Sequence, residues 1–287
     1  MPSPQPAGSG PLANIRVVLL ALNLPGPVAA ARLQGLGAAV VKVEPPSGDP
    51  FEAICPAWYG ELVQGIDVRR LDLKDPASRG ELDALLTAAD LLITSFRPSS
   101  LRRLGLDPAT LAARHPRLGY VAIVGEAGPL AEIAGHDLTY QASLGLVVPP
   151  NVPRTLLADL AGAERAVSAA LALLAGRNRG MGSPYAEVSL AGALDDMLAP
   201  WRFGLTRASG PLGGESPFYR LYETADGWIA VAALEGHFAE RLLLALELDT
   251  ATVAGFAAKF ATRTAAGWEA WAKERDLPIA VVRELPR

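Results

Sequence analysis

Residues 15–44 read IRVVLLALNLPGPVAAARLQGLGAAVVKVE, and the order of patterns in this stretch decides the fold. Residues 15–21 are an apolar run, as expected of a strand buried on both faces. A Pro-Gly-Pro turn follows, residues 28–36 carry helical spacing, Gly37 supplies a stop, and residues 39–44 form a second apolar strand. A strand, a helix and a strand in that order need a right-handed crossover, which puts both strands in one parallel sheet.

The same pattern continues outward. Asp75-Pro76 and Asp107-Pro108 each offer an N-cap followed by proline at the first helical position. Residues 91–96 and 118–125 read as further strands, and 157–174 as an alanine-rich helix. The spacing predicts another strand at 186–190 and a helix at 194–203. Beyond about residue 205 the pattern changes: 217–224 and 228–233 are β-like runs joined through Asp226-Gly227, a hairpin signal. Helical segments follow near 238–248, 251–261 and 265–274, and 277–282 closes as a strand.

The expected fold is therefore α/β. An open, mostly parallel sheet with helices on both faces occupies residues 15–204, and a smaller α+β domain occupies 205–275. Residues 1–14, rich in proline, glycine and serine, read as a flexible tail without the apolar core of a signal peptide. Residues 276–287 read as a segment returning to the large domain.

Composition narrows the function. Half the residues are hydrophobic and the formal net charge is −4, with no basic run, which argues against a nucleic-acid partner. The apolar stretch at 166–175 is too short to span a bilayer, so no membrane partner is expected. Cys55 is the only cysteine, which excludes an intrachain disulfide and fits a reducing, cytoplasmic location. The three histidines, at 115, 136 and 237, have no metal-ligand spacing. The first turn, ALNLPGP, lacks G-x-G-x-x-G, so a pyrophosphate would find no glycine cradle. No metal, nicotinamide or flavin is expected.

Four segments in order carry a resemblance: residues 22–50 (LNLPGPVAAARLQGLGAAVVKVEPPSGDP); LDLKDP with SFRPSSLRRLGLDP at 71–76 and 95–108; GHDLTYQASLG at 135–145 with TLLADLAG at 155–162; and SPFYRLYETADGWIAVAALE at 216–235. Together they resemble the class III CoA-transferase family, which includes formyl-CoA and carnitine CoA-transferases and α-methylacyl-CoA racemase. The resemblance implies a Rossmann-like large domain and a small domain in an interlocked homodimer, with acyl-CoA as substrate.

It also assigns roles. Asp159 matches the catalytic aspartate, which forms an aspartyl intermediate in the transferases and exchanges the proton beside the carbonyl in the racemases. Its plain alternative is an N-cap aspartate. His136 and Asp137 match the His-Asp pair of the racemases, with Asp137 either orienting the imidazole or capping a turn. Glu235 matches a glutamate that racemases pair with the histidine. For coenzyme A, Arg97, Arg103 and Lys42 are the candidate phosphate-binding cations, with Leu71, Phe96 and Leu104 as apolar contacts. Two departures stand out: Thr155 where the racemases prefer asparagine, and residues 65–68 (GIDV) in place of the family's N-R-G-K. Three readings remain open: transfer of CoA to a carboxylic acid acceptor, racemisation of a 2-methylacyl-CoA, and a CoA-binding dimer without turnover.

Overall fold

Alternation along the first strand builds two cores at once. In a computed structural model describing residues 9–177, 179–180 and 184–284, strand β1 (Arg16–Leu20) points Val17 and Leu19 into one core and Val18 and Leu20 into another. All four are at most 2% exposed, as a strand covered by helices on both faces requires.

The chain then runs through α1 (Pro25–Gly35), β2 (Ala39–Glu44), α2 (Pro50–Ile54), α3 (Pro56–Leu62), β3 (Asp67–Arg70), α4 (Pro76–Ala88) and β4 (Leu91–Thr94). After these come α5 (Pro98–Leu104), α6 (Pro108–Arg114), β5 (Gly119–Val124), α7 (Asp137–Ser143), α8 (Leu157–Arg177), β6 (Tyr185–Ser189) and α9 (Leu190–Met197). The strands pair in the order β3-β2-β1-β4-β5-β6, and every pairing is parallel. Strand order therefore reverses between β1 and β4, and such a switch point opens a crevice at the carboxyl ends of the strands. The Asp-Pro pairs act as expected: Asp75 accepts a hydrogen bond from Ser78 N–H at 2.8 Å, and Asp107 one from Thr110 N–H at 3.1 Å. Helix α8 packs closely on β5 and α1 because Ala158, Ala163, Ala166 and Ala170 present almost no side chain to the contact.

Three sequence expectations change. Residues 1–8 of the expected tail lie outside the described residues, but 9–14 form a packed turn. Leu12 is buried there and its N–H donates to Leu36 O at 2.9 Å. Residues 67–70, to which the sequence reading assigned no element, are the edge strand β3. Its sequence, DVRR, conceals the strand because three of its four residues are charged. Its arginines are engaged by acids: Arg69 pairs with Asp67 and Glu81, and Arg70 with Glu52.

The third change lies in the second unit, which begins after Met197. It holds α10 (Ala199–Arg202), β7 (Tyr219–Glu223), β8 (Trp228–Ala232), α11 (Gly236–Ala245), α12 (Val253–Phe260), α13 (Ala265–Lys273) and β9 (Ile279–Val281). The Asp226-Gly227 hairpin forms as read, with β7 and β8 antiparallel. β9 does not return to the parallel sheet; it pairs antiparallel with β8, where Ile279 joins a core of Tyr222, Phe256, Phe260 and Trp268. The described end of the expected return segment thus completes this unit's own sheet. Among the described residues, no helix is long and apolar enough to cross a membrane.

Candidate active site

A cavity of about 310 Å³ opens at the switch point of the parallel sheet. Its walls come from the turn after β1 (Leu22, Asn23), the turn after β4 (Phe96, Arg97), the end of β5, the segment leading into α7, and the first turn of α8. His136 and Asp159, 23 residues apart in sequence by subtraction, both line it.

Asp159 is not the N-cap of its helix. It is the third residue of α8, and the capping is done by Asp137 from the neighbouring helix. Asp137 is 4% exposed, and its Oδ1 accepts hydrogen bonds from Ala158 N–H at 2.7 Å and Asp159 N–H at 3.2 Å. These are orphan donors of the first helical turn, so the carboxylate satisfies groups that burial would otherwise penalise. Gln141 holds the other carboxylate oxygen at 2.5 Å and reaches the carbonyl of Thr155 at 3.0 Å. One glutamine thereby ties α7 to the segment leading into α8, and Thr155 contributes its main chain to that tie.

The electrostatics of Asp159 follow from this arrangement. A helix N-terminus favours the carboxylate anion, yet its pKa is pushed up to about 7. Desolvation is the larger cause and the nearby negative charge of Asp137 the smaller. Asp159 keeps part of its surface open to the cavity, but the protein crowding around it outweighs the helix dipole. A carboxyl poised near neutrality serves as acid or base in the physiological range.

His136 precedes α7 as its N-cap and is exposed toward solvent and the cavity. Its main chain is fixed by Thr139, whose hydroxyl donates to His136 O at 2.7 Å and accepts from His136 N–H at 3.1 Å. Arg97, the residue before Pro98 of α5, is exposed and lines the cavity with Phe96. Arg103 lies on α5 outside the cavity wall and donates to Ser100 Oγ at 3.1 Å.

Other candidates fall elsewhere. Leu71 is buried in the core on the α4–α6 side of the sheet, and Leu104 packs against that core. Lys42 is 0% exposed, its ammonium paired with Glu44 and with Asp49 at 2.7 Å, so it is not presented to a phosphate. β2 turns this side chain inward, where the two carboxylates offset the cost of burying its charge. Glu235 stands in the second unit as the N-cap residue of α11, exposed, with its carbonyl accepting from Phe238 and Ala239 N–H.

Tyr140 is a site residue that the sequence reading did not single out. Its ring is buried and lines the cavity, and its pKa is raised by burial and then by Glu126 and Asp159, which keeps the phenol neutral. A Cβ at Gly125 would lie 2.0 Å from the Tyr140 oxygen, and one at Gly135 2.5 Å from it. Both glycines therefore make room for this hydroxyl. The available signal was spacing: Tyr140 is four residues after His136, one helical turn on.

The chain is similar to known proteins over most of its length. Residues 12–286 match the profile of CoA-transferase family III. Alpha-methylacyl-CoA racemase of Homo sapiens is 32% identical over 257 residues, 83% of this chain and 65% of that protein. Succinate–glutarate CoA-transferase of Agrobacterium fabrum is 31% identical over 261 residues, 81% of this chain and 64% of that protein. The chain thus spans a little under two thirds of each of these two relatives. The crystal structure of the hypothetical protein Rv3272 from Mycobacterium tuberculosis superposes with a TM-score of 0.85, covering 97% of this chain and 85% of that one at 22% identity. A CAIB/BAIF family protein from Brucella suis gives 0.78, covering 96% and 84% at 22% identity. Both likenesses concern the fold.

Proposed function

Because the chain belongs to CoA-transferase family III, we propose that it acts on acyl-CoA thioesters, with Asp159 as the central catalytic carboxyl. The observation carrying this reading is the placement of Asp159 in the switch-point cavity, with its pKa near neutrality and its helix capped by Asp137.

Two chemistries use that carboxyl. In the first, Asp159 and His136 exchange protons at the carbon beside the thioester carbonyl, one removing a proton and the other supplying one. Inversion needs groups acting on both faces of that carbon. This reading is favoured by the two side chains sharing one cavity and by the likeness to the human racemase. Glu235 is carried over only as a group that tunes His136. In the second, the Asp159 carboxylate attacks the thioester carbonyl and CoA leaves as thiolate, giving an aspartyl anhydride. CoA thiolate then attacks the aspartyl carbonyl, releasing the donor acid and leaving an aspartyl-CoA thioester. The acceptor carboxylate attacks that thioester and CoA leaves as thiolate. Its attack on the acceptor carbonyl of the second anhydride gives the new acyl-CoA and frees the Asp159 carboxylate. The likeness to the Agrobacterium transferase supports it.

Arg97 and Phe96 are the groups on the cavity wall suited to a phosphate and an apolar moiety of CoA. The working assembly is proposed to be an interlocked homodimer in the cytoplasm. Phe203 at 86% and Leu244 at 80% exposure are apolar side chains that a second chain would cover. Sedimentation at nanomolar concentration is expected to show an intact dimer, and a folded, active monomer would contradict it.

Mass spectrometry of the protein incubated with isobutyryl-CoA and acetate in heavy water tests the reading. Deuterium on the recovered thioester identifies proton exchange, and acetyl-CoA or an acyl-protein adduct identifies transfer. Neither product would leave the chain without acyl-CoA chemistry.

A further inference from the structure

We infer that Asp49, held in place by Lys42, is a positioning residue for the acyl-CoA cavity and acts through the main chain of Asn23. The inference rests on the acyl-CoA reading of that cavity and concerns two residues outside its wall, Asp49 and Lys42, that act on Asn23 within it.

Lys42, Glu44 and Asp49 are three charged side chains at most 3% exposed. Lys42 Nζ donates to Glu44 and to Asp49 Oδ2, and Tyr59 donates to Glu44 Oε1 at 2.6 Å. Arg70 approaches the second Glu44 oxygen at 3.8 Å. Burying such a cluster is expensive, and well-packed apolar residues of similar volume often serve stability as well or better. Its presence therefore points to what the cluster holds.

Asp49 Oδ1 accepts two main-chain N–H groups, that of Phe51 at 2.9 Å and that of Asn23 at 3.0 Å. The first is the ordinary N-cap bond of α2. The second crosses to the turn between β1 and α1. Asn23 sits there in the left-handed region with φ of 64°, which few residue types other than glycine occupy readily. Leu22, Asn23 and Pro25 of this turn line the cavity. The unusual backbone of the wall is thus fixed by a carboxylate whose other oxygen is clamped by a buried ammonium. The pair sets the shape of one cavity wall without touching a ligand, as groups behind a binding site do when they orient those in front.

The test measures Kd for CoA and isobutyryl-CoA by calorimetry, kcat and KM in the heavy-water assay, and melting temperature. Asp49→Ala is expected to raise Kd and KM about tenfold, the weight of one charge-assisted hydrogen bond, with kcat changed less than about threefold. Asp49→Asn keeps an acceptor oxygen toward Asn23 N–H but takes from Lys42 one of its two buried carboxylates, leaving Glu44. It is expected to melt lower than wild type yet bind within about threefold of it. Affinity would then follow the Asn23 hydrogen bond and not stability. Asn23→Gly leaves the buried charges untouched, so its folding does not depend on them. It frees the turn and is expected to raise KM several-fold at an unchanged melting temperature. Affinity falling in step with melting temperature across the set, or wild-type KM in Asp49→Ala and Asn23→Gly, would overturn the inference. A wild-type protein that binds neither CoA nor isobutyryl-CoA and does not turn over the thioester would remove the acyl-CoA reading and this inference with it.

Discussion

The Asp137 carboxylate caps the helix that carries Asp159, its Oδ1 lying 3.2 Å from the Asp159 main-chain nitrogen and 2.7 Å from that of Ala158. The two acids of the site therefore do different work, one holding the scaffold and the other facing the cavity. Asp137→Ala leaves two N–H groups without their acceptor in a buried setting and is expected to cost about 1–3 kcal/mol. Asp137→Asn keeps an acceptor oxygen and is expected to retain most of that stability. Chemical denaturation of the two variants checks the order.

The pH dependence carries its own signature. The folded-state pKa of Asp159 is raised from 3.8 to about 7, so protonation favours the fold. That contribution is fully present below about pH 4 and is lost as pH rises through about 7. Asp159→Asn removes a charge that burial disfavours, and is expected to be more stable than wild type at pH 8 and equal to it at pH 4. The gain should be on the order of 1–2 kcal/mol, since the group stays partly open to solvent. Turnover that needs the ionised carboxylate is expected to rise through a midpoint near 7, and Asp137→Asn should move that midpoint to lower pH by removing the like charge.

Gly125 and Gly135 leave room for the Tyr140 hydroxyl, so side chains there compete with it directly. Gly125→Ala is expected to destabilise by about 1–3 kcal/mol, the usual cost of overpacking, because the phenol must be displaced. Tyr140→Phe deletes the nearest atom in the clash. The double variant is then expected to recover part of the loss, and a double-mutant cycle measures that coupling.

Arginine and lysine candidates for CoA separate on exposure. Arg97→Ala is expected to weaken CoA binding about tenfold and to flatten its dependence on salt, as loss of an exposed phosphate-binding cation does. Lys42→Ala is expected to act on folding, at about 3–5 kcal/mol, because it leaves Glu44 and Asp49 buried without their counter-ion. Calorimetric titration at two salt concentrations, alongside melting curves, distinguishes the two effects.

The parallel sheet was legible because its strands are nearly continuous apolar runs separated by Asp-Pro helix starts and glycine stops. Helix α8, the hairpin at Asp226-Gly227 and the three helices after it were readable for the same local reasons. β3 was hidden because an edge strand needs no apolar face, and DVRR shows none. The pairing of β9 was hidden because a short apolar strand does not name its neighbour. The site was readable only as residue types and a resemblance. Asp159 and His136 do meet in one cavity, but the capping of α8 from α7 is a contact between residues more than 20 apart by numbering. The fate of Lys42 was equally invisible: alternation along β2 decides whether its side chain meets solvent or core, and a charge there reads as exposed until its two carboxylate partners are located. Tyr140 lay in plain view, but its importance depends on two glycines, Gly125 and Gly135, that leave space for one oxygen.

Everything proposed here turns on the Asp159 carboxyl. The most direct measurement is the rate of α-deuteration and of CoA transfer from isobutyryl-CoA in heavy water, compared between wild type and Asp159→Ala, with CoA affinity measured on both. The variant is expected to bind CoA within a few-fold of wild type and to lose turnover by at least about a hundredfold, the lower range for a general acid–base group. An Asp159→Ala protein that binds CoA and retains more than about a hundredth of the wild-type rate would contradict it.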